Sequence, residues 1–237
     1  MIGHWIDGRI VASTSGRSGT VWNPATGEAR ANVAFASVEE VDTAVDAAQK
    51  AFKSWRATPL ARRTEVLFKL RALLDANRRA LAELITLEHG KTVADALGEV
   101  ARGIENVEFA CGVPAMLKGG FTEQASNGVD VYQIRQPLGV VAGITPFNFP
   151  AMVPMWMFAH AIACGNAFIL KPSEKDPSVS LSIAELTKQA GVPDGVFTVL
   201  QGDRVAVERL IEHPQVKALS FVAVSYTHLT LPTNREV

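Results

Sequence analysis

The sequence predicts an α/β fold, a doubly wound parallel sheet flanked by helices, preceded by an N-terminal hairpin and a helical region. Three observations predict this class. A turn signal at Asp7-Gly8 lies between apolar residues. Residues 37–116 carry apolar side chains at spacings of three and four. From residue 140 onward, short apolar runs alternate with helical stretches, which is typical of parallel strands joined by crossover helices.

Turn and strand signals outside the predicted parallel sheet occur in three places. Asp7-Gly8 predicts a β-hairpin over residues 5–11, and the segment Asn23-Pro24-Ala25-Thr26-Gly27 predicts a second turn. Residues 119–136 include an alternating segment before Pro137 and are compatible with an extra strand pair at the edge of the domain.

The helical segments are predicted from apolar periodicity and from one capping signal. Ser37 and Glu40 form a capping-box pattern at the start of a helix whose apolar residues continue to Trp55. The arginines of the second helix, Arg63 among them, are interpreted as its solvent-facing side. Helices are predicted over residues 37–55, 60–88, 93–116, 152–163, 179–189 and 205–212.

The parallel sheet is predicted from four runs of the buried-strand type. Each run is short and apolar and is separated from the next by a helical stretch, as crossover connections require. The runs cover residues 140–144, 167–170, 196–200 and 218–222.

Composition and charge exclude several classes of function. The chain has 237 residues and a formal net charge of -1, with both signs scattered along it. This charge pattern offers no basic stripe for nucleic acid. The start of the chain lacks the pattern of a secretory signal, and no apolar run is long enough to span a bilayer. We therefore expect a cytoplasmic protein with no nucleic-acid or membrane partner.

Cysteine usage predicts neither a metal site nor a nucleophile. Cys111 and Cys164 lie far apart, without the spacing of a metal site or a redox pair. Cys164 stands in an apolar setting, which raises the pKa of a thiol and leaves it unreactive. We interpret both as packing residues and expect no metal ion.

The first candidate site residue, Asn148, follows the first predicted strand of the sheet. Open parallel sheets bind ligands beyond the carboxyl ends of their strands, and Thr145-Pro146-Phe147-Asn148-Phe149-Pro150 begins at such an end. Two prolines restrict the backbone around the asparagine. Its amide offers two N–H donors, as required for stabilising an oxyanion. The alternative is an asparagine that caps a turn.

The second candidate pair, Lys171 and Glu174, follows the next predicted strand. A carboxylate at this place suits the vicinal hydroxyls of a nucleotide ribose and repels a 2'-phosphate, which favours NAD over NADP. The alternative is a surface ion pair that contributes little. No GxGxxG motif follows the first strand, so the usual dinucleotide-binding fingerprint is absent.

Taken together, these residues resemble the aldehyde dehydrogenase superfamily, and the resemblance runs from residue 5 to residue 222. Phe147, where many relatives have Trp, and the segment 152–158 resemble its CoA-acylating methylmalonate-semialdehyde dehydrogenase branch. Further motifs occur in family order: Leu87-Glu88-His89-Gly90-Lys91, Gly165-Asn166 and Gly191-Val192-Pro193-Asp194-Gly195.

The resemblance implies a role for each candidate residue. Asn148 is expected to donate to the thiohemiacetal oxyanion. We add the hypothesis that Arg102 binds the carboxylate of a malonate-type semialdehyde, because a guanidinium binds a carboxylate bidentately; a helix-surface arginine is the alternative. The expected contacts with NAD are Thr145, Phe147, Lys171, Glu174 and Lys175.

The same resemblance implies that part of the catalytic machinery is missing. In the family, a Cys thiolate attacks the aldehyde, hydride passes to NAD, and CoA or water releases the thioester. That Cys belongs to a later catalytic domain without counterpart here. We therefore interpret residues 1–222 as the NAD-binding domain, with strands 119–136 serving a homo-oligomer, and expect an inactive fragment.

The C-terminal tail and the overall activity leave alternatives open. Residues 223–237 depart from the Phe-Val-Gly-Ser that the family expects, and His228 within them is interpreted as incidental. One alternative function is a dehydrogenase of the same superfamily that does not use CoA. The other is a non-enzymatic nucleotide-binding fragment.

Overall fold

A computed structural model describes residues 1–222. The C-terminal segment 223–237, which includes His228, lies outside the described residues. The elements of the first part are β1 (His4–Ile6), β2 (Arg9–Val11), β3 (Ser18–Asn23), β4 (Glu28–Ala34), α1 (Val38–Trp55), α2 (Leu60–Ala76), α3 (Arg78–His89), α4 (Val93–Ala110) and α5 (Val113–Met116). Those of the second part are β5 (Gly120–Ser126), β6 (Val129–Gln133), β7 (Val140–Ile144), α6 (Met152–Ala163), β8 (Ala167–Lys171), α7 (Ser178–Gln189), β9 (Phe197–Val199), α8 (Arg204–Glu212) and β10 (Val216–Phe221).

The main sheet has six strands in the order β10-β7-β8-β9-β1-β2. The strands β10, β7, β8 and β9 pair in parallel, which confirms the predicted α/β class. The N-terminal hairpin β1–β2 is also confirmed, and it extends this sheet because β1 pairs antiparallel with β9 through Trp5 and Val199. That long-range pairing was not predicted.

The hydrophobic core lies on both faces of the sheet, as in a doubly wound fold. Side chains alternate along β8, so that Phe168 and Leu170 pack with α2, α4, α6 and α7. Ile169, between them, packs on the other face with α1 and α8. Strand β8 is therefore buried on both sides, which explains its continuous apolar sequence.

Helix α1 begins with the predicted capping box. The Glu40 backbone N–H donates to the Ser37 hydroxyl over 3.3 Å, and the Ser37 backbone N–H donates to the Glu40 carboxylate over 2.9 Å. The helix ends at Trp55, whose indole N–H donates to the Ile162 carbonyl over 3.0 Å. This buried bond ties α1 to α6.

Two helix predictions were wrong in their extent. The helix predicted over residues 60–88 is broken at Asn77, which has φ -102° and ψ 6° and whose side chain donates to the Leu73 carbonyl. The Leu73 carbonyl still accepts from the Asn77 backbone N–H over 3.1 Å, so the break lies in the backbone conformation of Asn77, a residue type that is favoured at helix ends over helix interiors. The helix predicted over residues 93–116 ends at Ala110, and a short α5 containing Pro114 follows. Proline has no N–H with which to continue the preceding helix.

The prediction that the arginines of the second helix face solvent fails at Arg63, which is 8% exposed. Its guanidinium lies against Gly165, which has φ +91°. A side chain at residue 165 would collide with the guanidinium, so the absence of a Cβ there makes room for the arginine.

Strands β5 and β6 confirm the predicted pair outside the main sheet. They pair antiparallel with each other, and all their residues are exposed. Phe121 and Tyr132, directly opposite each other, are large and exposed. No helix in residues 1–222 combines the length and the apolar composition needed to cross a membrane.

Candidate functional site

All the predicted site residues except Arg102 lie at the carboxyl ends of two neighbouring strands or in the loops that follow them. Ile144 at the end of β7 is in register with Lys171 at the end of β8. The Thr145 backbone N–H donates to the Lys171 carbonyl over 3.2 Å, so the two loops begin side by side. This is the edge at which open parallel sheets bind ligands.

Asn148 is exposed in the loop after β7. Its main-chain carbonyl accepts a hydrogen bond from the Lys91 ammonium over 2.7 Å. Its side-chain amide makes no hydrogen bond within residues 1–222, so it does not cap the turn, and both N–H donors remain available for a ligand.

The loop that carries Asn148 is held by a carboxylate from α4. Glu99 is fully buried, and one of its oxygens accepts from the backbone N–H groups of Ala151 and Met152 over 2.9 and 3.2 Å, at the start of α6. The other accepts from the Lys91 ammonium over 2.6 Å. No sequence signal indicated Glu99, because its partners are distant in the chain; Lys91 belonged to a family motif without an assigned role.

Lys171 and Glu174 form an ion pair over 3.1 Å. The lysine side chain is 7% exposed and the glutamate 43%. The pair is thus anchored on its cationic side, and the carboxylate faces solvent with room to accept further hydrogen bonds. Thr145 beside it is buried, and its hydroxyl has no partner within residues 1–222.

Phe147 and Lys175 form a second group at the same edge. The Lys175 ammonium lies 4.4 Å from the centroid of the Phe147 ring, within reach of a cation–π interaction. The His89 ring stacks with the Phe147 ring at 6.1 Å between centroids. Burial and the nearby Lys91 lower the pKa of His89. These side chains line a cavity of about 280 Å³ that Trp22 also borders.

The same cavity is lined by Asp176, which sequence reasoning missed. Asp176 is 1% exposed, and burial together with the nearby carboxylate of Glu88 raises its pKa to about 8. Glu88 is itself buried, pairs with Arg30 and accepts two hydrogen bonds from Ser178. The carboxyl of Asp176 is therefore largely protonated at neutral pH.

Arg102 lies on α4, near the start of α6, and makes no hydrogen bond or ion pair with Lys171 or Glu174 within residues 1–222. It is exposed, and its Nε donates to the Met152 sulfur over 3.3 Å. Arg102 follows Glu99 by three residues, so it lies on the same side of α4 as the carboxylate that caps α6.

Neither cysteine has the properties of a nucleophile. Cys111 is buried and Cys164 is partly buried, both are free, and burial raises the pKa of each thiol. A raised pKa leaves the unreactive thiol as the dominant form at neutral pH. In the described part of the chain, no group of three or more His, Cys, Asp or Glu side chains is arranged to hold a metal ion.

Comparison with known proteins identifies the family. The model of the aldehyde dehydrogenase family matches residues 10–228. The chain belongs to the aldehyde dehydrogenase family. The resemblance inferred from the motifs is thereby confirmed, and the match reaches into the segment 223–237, which the structure does not describe.

Curated members of the aldehyde dehydrogenase family that are similar to this chain include two semialdehyde dehydrogenases. The chain is 54% identical over 219 residues to the malonate-semialdehyde dehydrogenase of Pseudomonas aeruginosa, covering 92% of this chain and 44% of that protein. It is 52% identical to malonate-semialdehyde dehydrogenase 2 of Geobacillus kaustophilus, covering 92% and 45%. The chain therefore spans less than half the length of these relatives.

Two solved structures of the family are similar to this chain over more than nine tenths of its length. A putative methylmalonate-semialdehyde dehydrogenase from Sinorhizobium meliloti, complexed with NAD, is 53% identical with a TM-score of 0.92, covering 93% of this chain and 45% of that one. The methylmalonate-semialdehyde dehydrogenase of Oceanimonas doudoroffii is 51% identical with a TM-score of 0.90, covering 92% and 44%.

Proposed function

We propose that residues 1–222 are the cofactor-binding part of an NAD-dependent aldehyde dehydrogenase. The complete protein oxidises malonate or methylmalonate semialdehyde and forms an acyl-CoA thioester. The proposal rests on one observation: a structure 53% identical to this chain, with a TM-score of 0.92, is of a putative methylmalonate-semialdehyde dehydrogenase complexed with NAD. The 54% identity with a malonate-semialdehyde dehydrogenase supports the same substrate class.

The residues at the carboxyl ends of β7 and β8 fit a bound NAD. The partly exposed Glu174 carboxylate suits the two ribose hydroxyls, with Lys171 fixing its position over 3.1 Å. The buried Thr145 hydroxyl, unpartnered within residues 1–222, offers a further bond at the end of β7. Phe147 and Lys175 are assigned as the remaining contacts. When bound, NAD supplies the hydride acceptor.

Asn148 is assigned as the oxyanion donor. Attack of a Cys thiolate on the aldehyde carbon places negative charge on the aldehyde oxygen, and a free amide N–H stabilises that charge. Neither Cys111 nor Cys164 supplies the thiolate, since burial keeps each protonated. We expect the nucleophile in the catalytic region of a complete protein and no turnover by these 237 residues alone.

Arg102 is assigned to the substrate carboxylate. Within residues 1–222 its guanidinium makes one hydrogen bond, to the Met152 sulfur, and the exposed guanidinium keeps N–H donors for a carboxylate. Arg102 lies beside the start of α6, immediately after the loop that carries Asn148. A semialdehyde with a carboxylate at one end and a carbonyl at the other suits this arrangement.

The exposed strands β5 and β6 are assigned to a homo-oligomer. Their exposed apolar side chains, among them Phe121, Val131 and Tyr132, suit contact with a second copy. A cytoplasmic location is part of the proposal, and the free cysteines favour it.

The first experiment measures NAD and NADP binding to the purified chain by isothermal titration calorimetry. We expect NAD to bind, more weakly than to complete relatives, and more tightly than NADP. Failure to bind NAD at millimolar concentration would contradict the cofactor assignment. Binding without any NADH formation by a complete protein would favour the non-enzymatic alternative.

The second experiment uses a complete protein, either as encoded or restored by joining residues 1–222 to the downstream part of the Pseudomonas aeruginosa relative. NADH formation is followed with malonate semialdehyde, methylmalonate semialdehyde and propanal, with and without CoA. Thioester product that requires CoA supports the proposal, whereas free acid formed without CoA favours the alternative dehydrogenase. Asn148→Ala is expected to lower kcat by about 100-fold to 1,000-fold without changing the Kd of NAD.

A further inference from the structure

Helix α6 begins directly after the Asn148 loop and has no N-cap side chain of its own. Its N-cap is Ala151, so the first backbone N–H groups need partners from elsewhere. Glu99 of α4 supplies them through one carboxylate oxygen, which accepts from Ala151 and Met152. A carboxylate here also suits the positive end of the helix dipole.

The second oxygen of the same carboxylate holds the Lys91 ammonium over 2.6 Å. The ammonium also donates to the main-chain carbonyl of Asn148 over 2.7 Å and lies 4.8 Å from the centroid of the Phe149 ring. The Lys91 side chain is 12% exposed and that of Glu99 is fully buried, so water screens the pair little.

We propose that Lys91 and Glu99 are positioning residues that hold the side-chain amide of Asn148 where the oxyanion develops. The inference rests on the proposed function, in which Asn148 is the oxyanion donor. Glu99 fixes the residues after Asn148 through α6, and Lys91 fixes Asn148 itself through its carbonyl. The amide side chain, which makes no bond within residues 1–222, takes its position from this backbone.

Neither residue needs to touch the substrate for this role. Because the bond from Lys91 goes to the carbonyl of Asn148, loss of the bond moves the peptide and the amide with it. A displacement of about 1 Å in a catalytic group lowers the rate by about 100-fold. The effect falls on kcat, since Lys171, Glu174 and Lys175, three of the residues assigned to bind NAD, lie at the end of β8 and in the loop after it and not in the Asn148 loop.

The test variant in a complete protein is Lys91→Met combined with Glu99→Gln. Lys91→Met alone leaves a buried unpaired carboxylate and destabilises the fold. A glutamine at residue 99 keeps an oxygen for the N–H groups of α6. We expect kcat to fall by about 10-fold to 100-fold, with the KM of the aldehyde and the Kd of NAD unchanged.

Lys188→Met is the matched control. The Lys188 ammonium makes the same two kinds of contact, a bond to the Gly8 carbonyl over 2.7 Å and an ion pair with Asp194 over 3.1 Å, away from the Asn148 loop. This ion pair is about half exposed, so the variant is expected to change thermal stability little and to leave kcat unchanged. An equal loss of kcat in the Lys188→Met control and in the test variant would overturn the inference.

A double-mutant cycle with Asn148→Ala separates the inference from the proposed function. If Lys91 and Glu99 act through Asn148, the test variant loses little further kcat in the Asn148→Ala background. Full additivity would overturn the positioning role and leave Asn148 as the oxyanion donor. Unchanged kcat in Asn148→Ala alone would instead overturn the assignment of Asn148, and the inference with it.

Lys91→Arg is a second variant that keeps a cation beside Glu99 and so preserves the fold if the combined variant does not. Its larger, planar head displaces the donor to Asn148, so kcat falls less, with the same non-additivity. Additive loss of kcat for Lys91→Arg and Asn148→Ala would again contradict the inference.

Discussion

The buried carboxyl of Asp176 should make the folding stability of this chain depend on pH. Burial, with Glu88 and Glu99 nearby, raises its pKa to about 8. Neither carboxyl oxygen makes a hydrogen bond of normal geometry within residues 1–222, although the Ser173 hydroxyl and Lys91 are close enough to favour the charged form. In the unfolded chain the pKa returns to about 3.9.

The sign and size of the effect follow from these two pKa values. Between about pH 4 and the folded pKa of about 8, the folded state holds a proton that the unfolded state has released. The free energy of unfolding therefore falls as pH rises through this window, by about 1.4 kcal/mol per pH unit. From about pH 6 to about pH 8 the loss is about 2 kcal/mol, a large share of the stability of a typical domain.

Asp176→Asn removes the titrating group and should flatten this part of the pH profile. The assay is urea unfolding of the parent and the variant at about pH 6 and about pH 8, with the difference in slope taken as the result. Asp46→Asn, at an exposed position, is the control and should leave the parent slope. If the parent and Asp176→Asn lose the same stability between the two pH values, Asp176 does not carry a raised pKa and the reasoning is wrong.

Three further predictions test single contacts. Glu174→Gln should weaken NAD binding by about 10-fold to 100-fold and narrow the preference over NADP, as measured by calorimetry; an unchanged NAD-to-NADP ratio would remove Glu174 from the ribose site. Arg102→Ala in a complete protein should raise the KM of malonate semialdehyde by about 10-fold and leave that of propanal unchanged, and an equal change for both aldehydes would point to a purely structural arginine. Trp55→Phe should cost about 1–3 kcal/mol in urea unfolding because it removes the bond from the buried indole N–H to the Ile162 carbonyl and leaves a gap in the core where the larger side chain packed, whereas parent-like stability would mean that neither contributes.

The fold could be predicted where local signals decide the structure. The capping box of Ser37 and Glu40 involves neighbours in the chain, and the structure contains both of its bonds. The apolar run of β8 is similarly informative, because a strand covered on both faces needs apolar residues at every position. The class and most element positions follow from such patterns.

The errors arose where distant residues or the backbone conformation of a single residue decide the structure. Apolar spacing continues through Asn77, and only the backbone dihedral angles of that residue reveal the break. The sequence predicts Trp5 as part of an isolated hairpin, but in the structure Trp5 pairs with Val199 and the hairpin extends the main sheet. The helical pattern predicts that Arg63 faces solvent, but the structure buries it against Gly165, where the absence of a Cβ makes room for the guanidinium.

The candidate site shows the same division between local and distant information. The loops after β7 and β8 could be identified because the ends of parallel strands are the expected ligand edge. The loop that carries Asn148 is held at that edge by Glu99 of α4, which lies 49 residues earlier in the chain. No periodicity or turn signal in the sequence connects these two residues. A substitution at Glu99 is therefore a change to the site, even though the residue is buried in a helix that reads as scaffold.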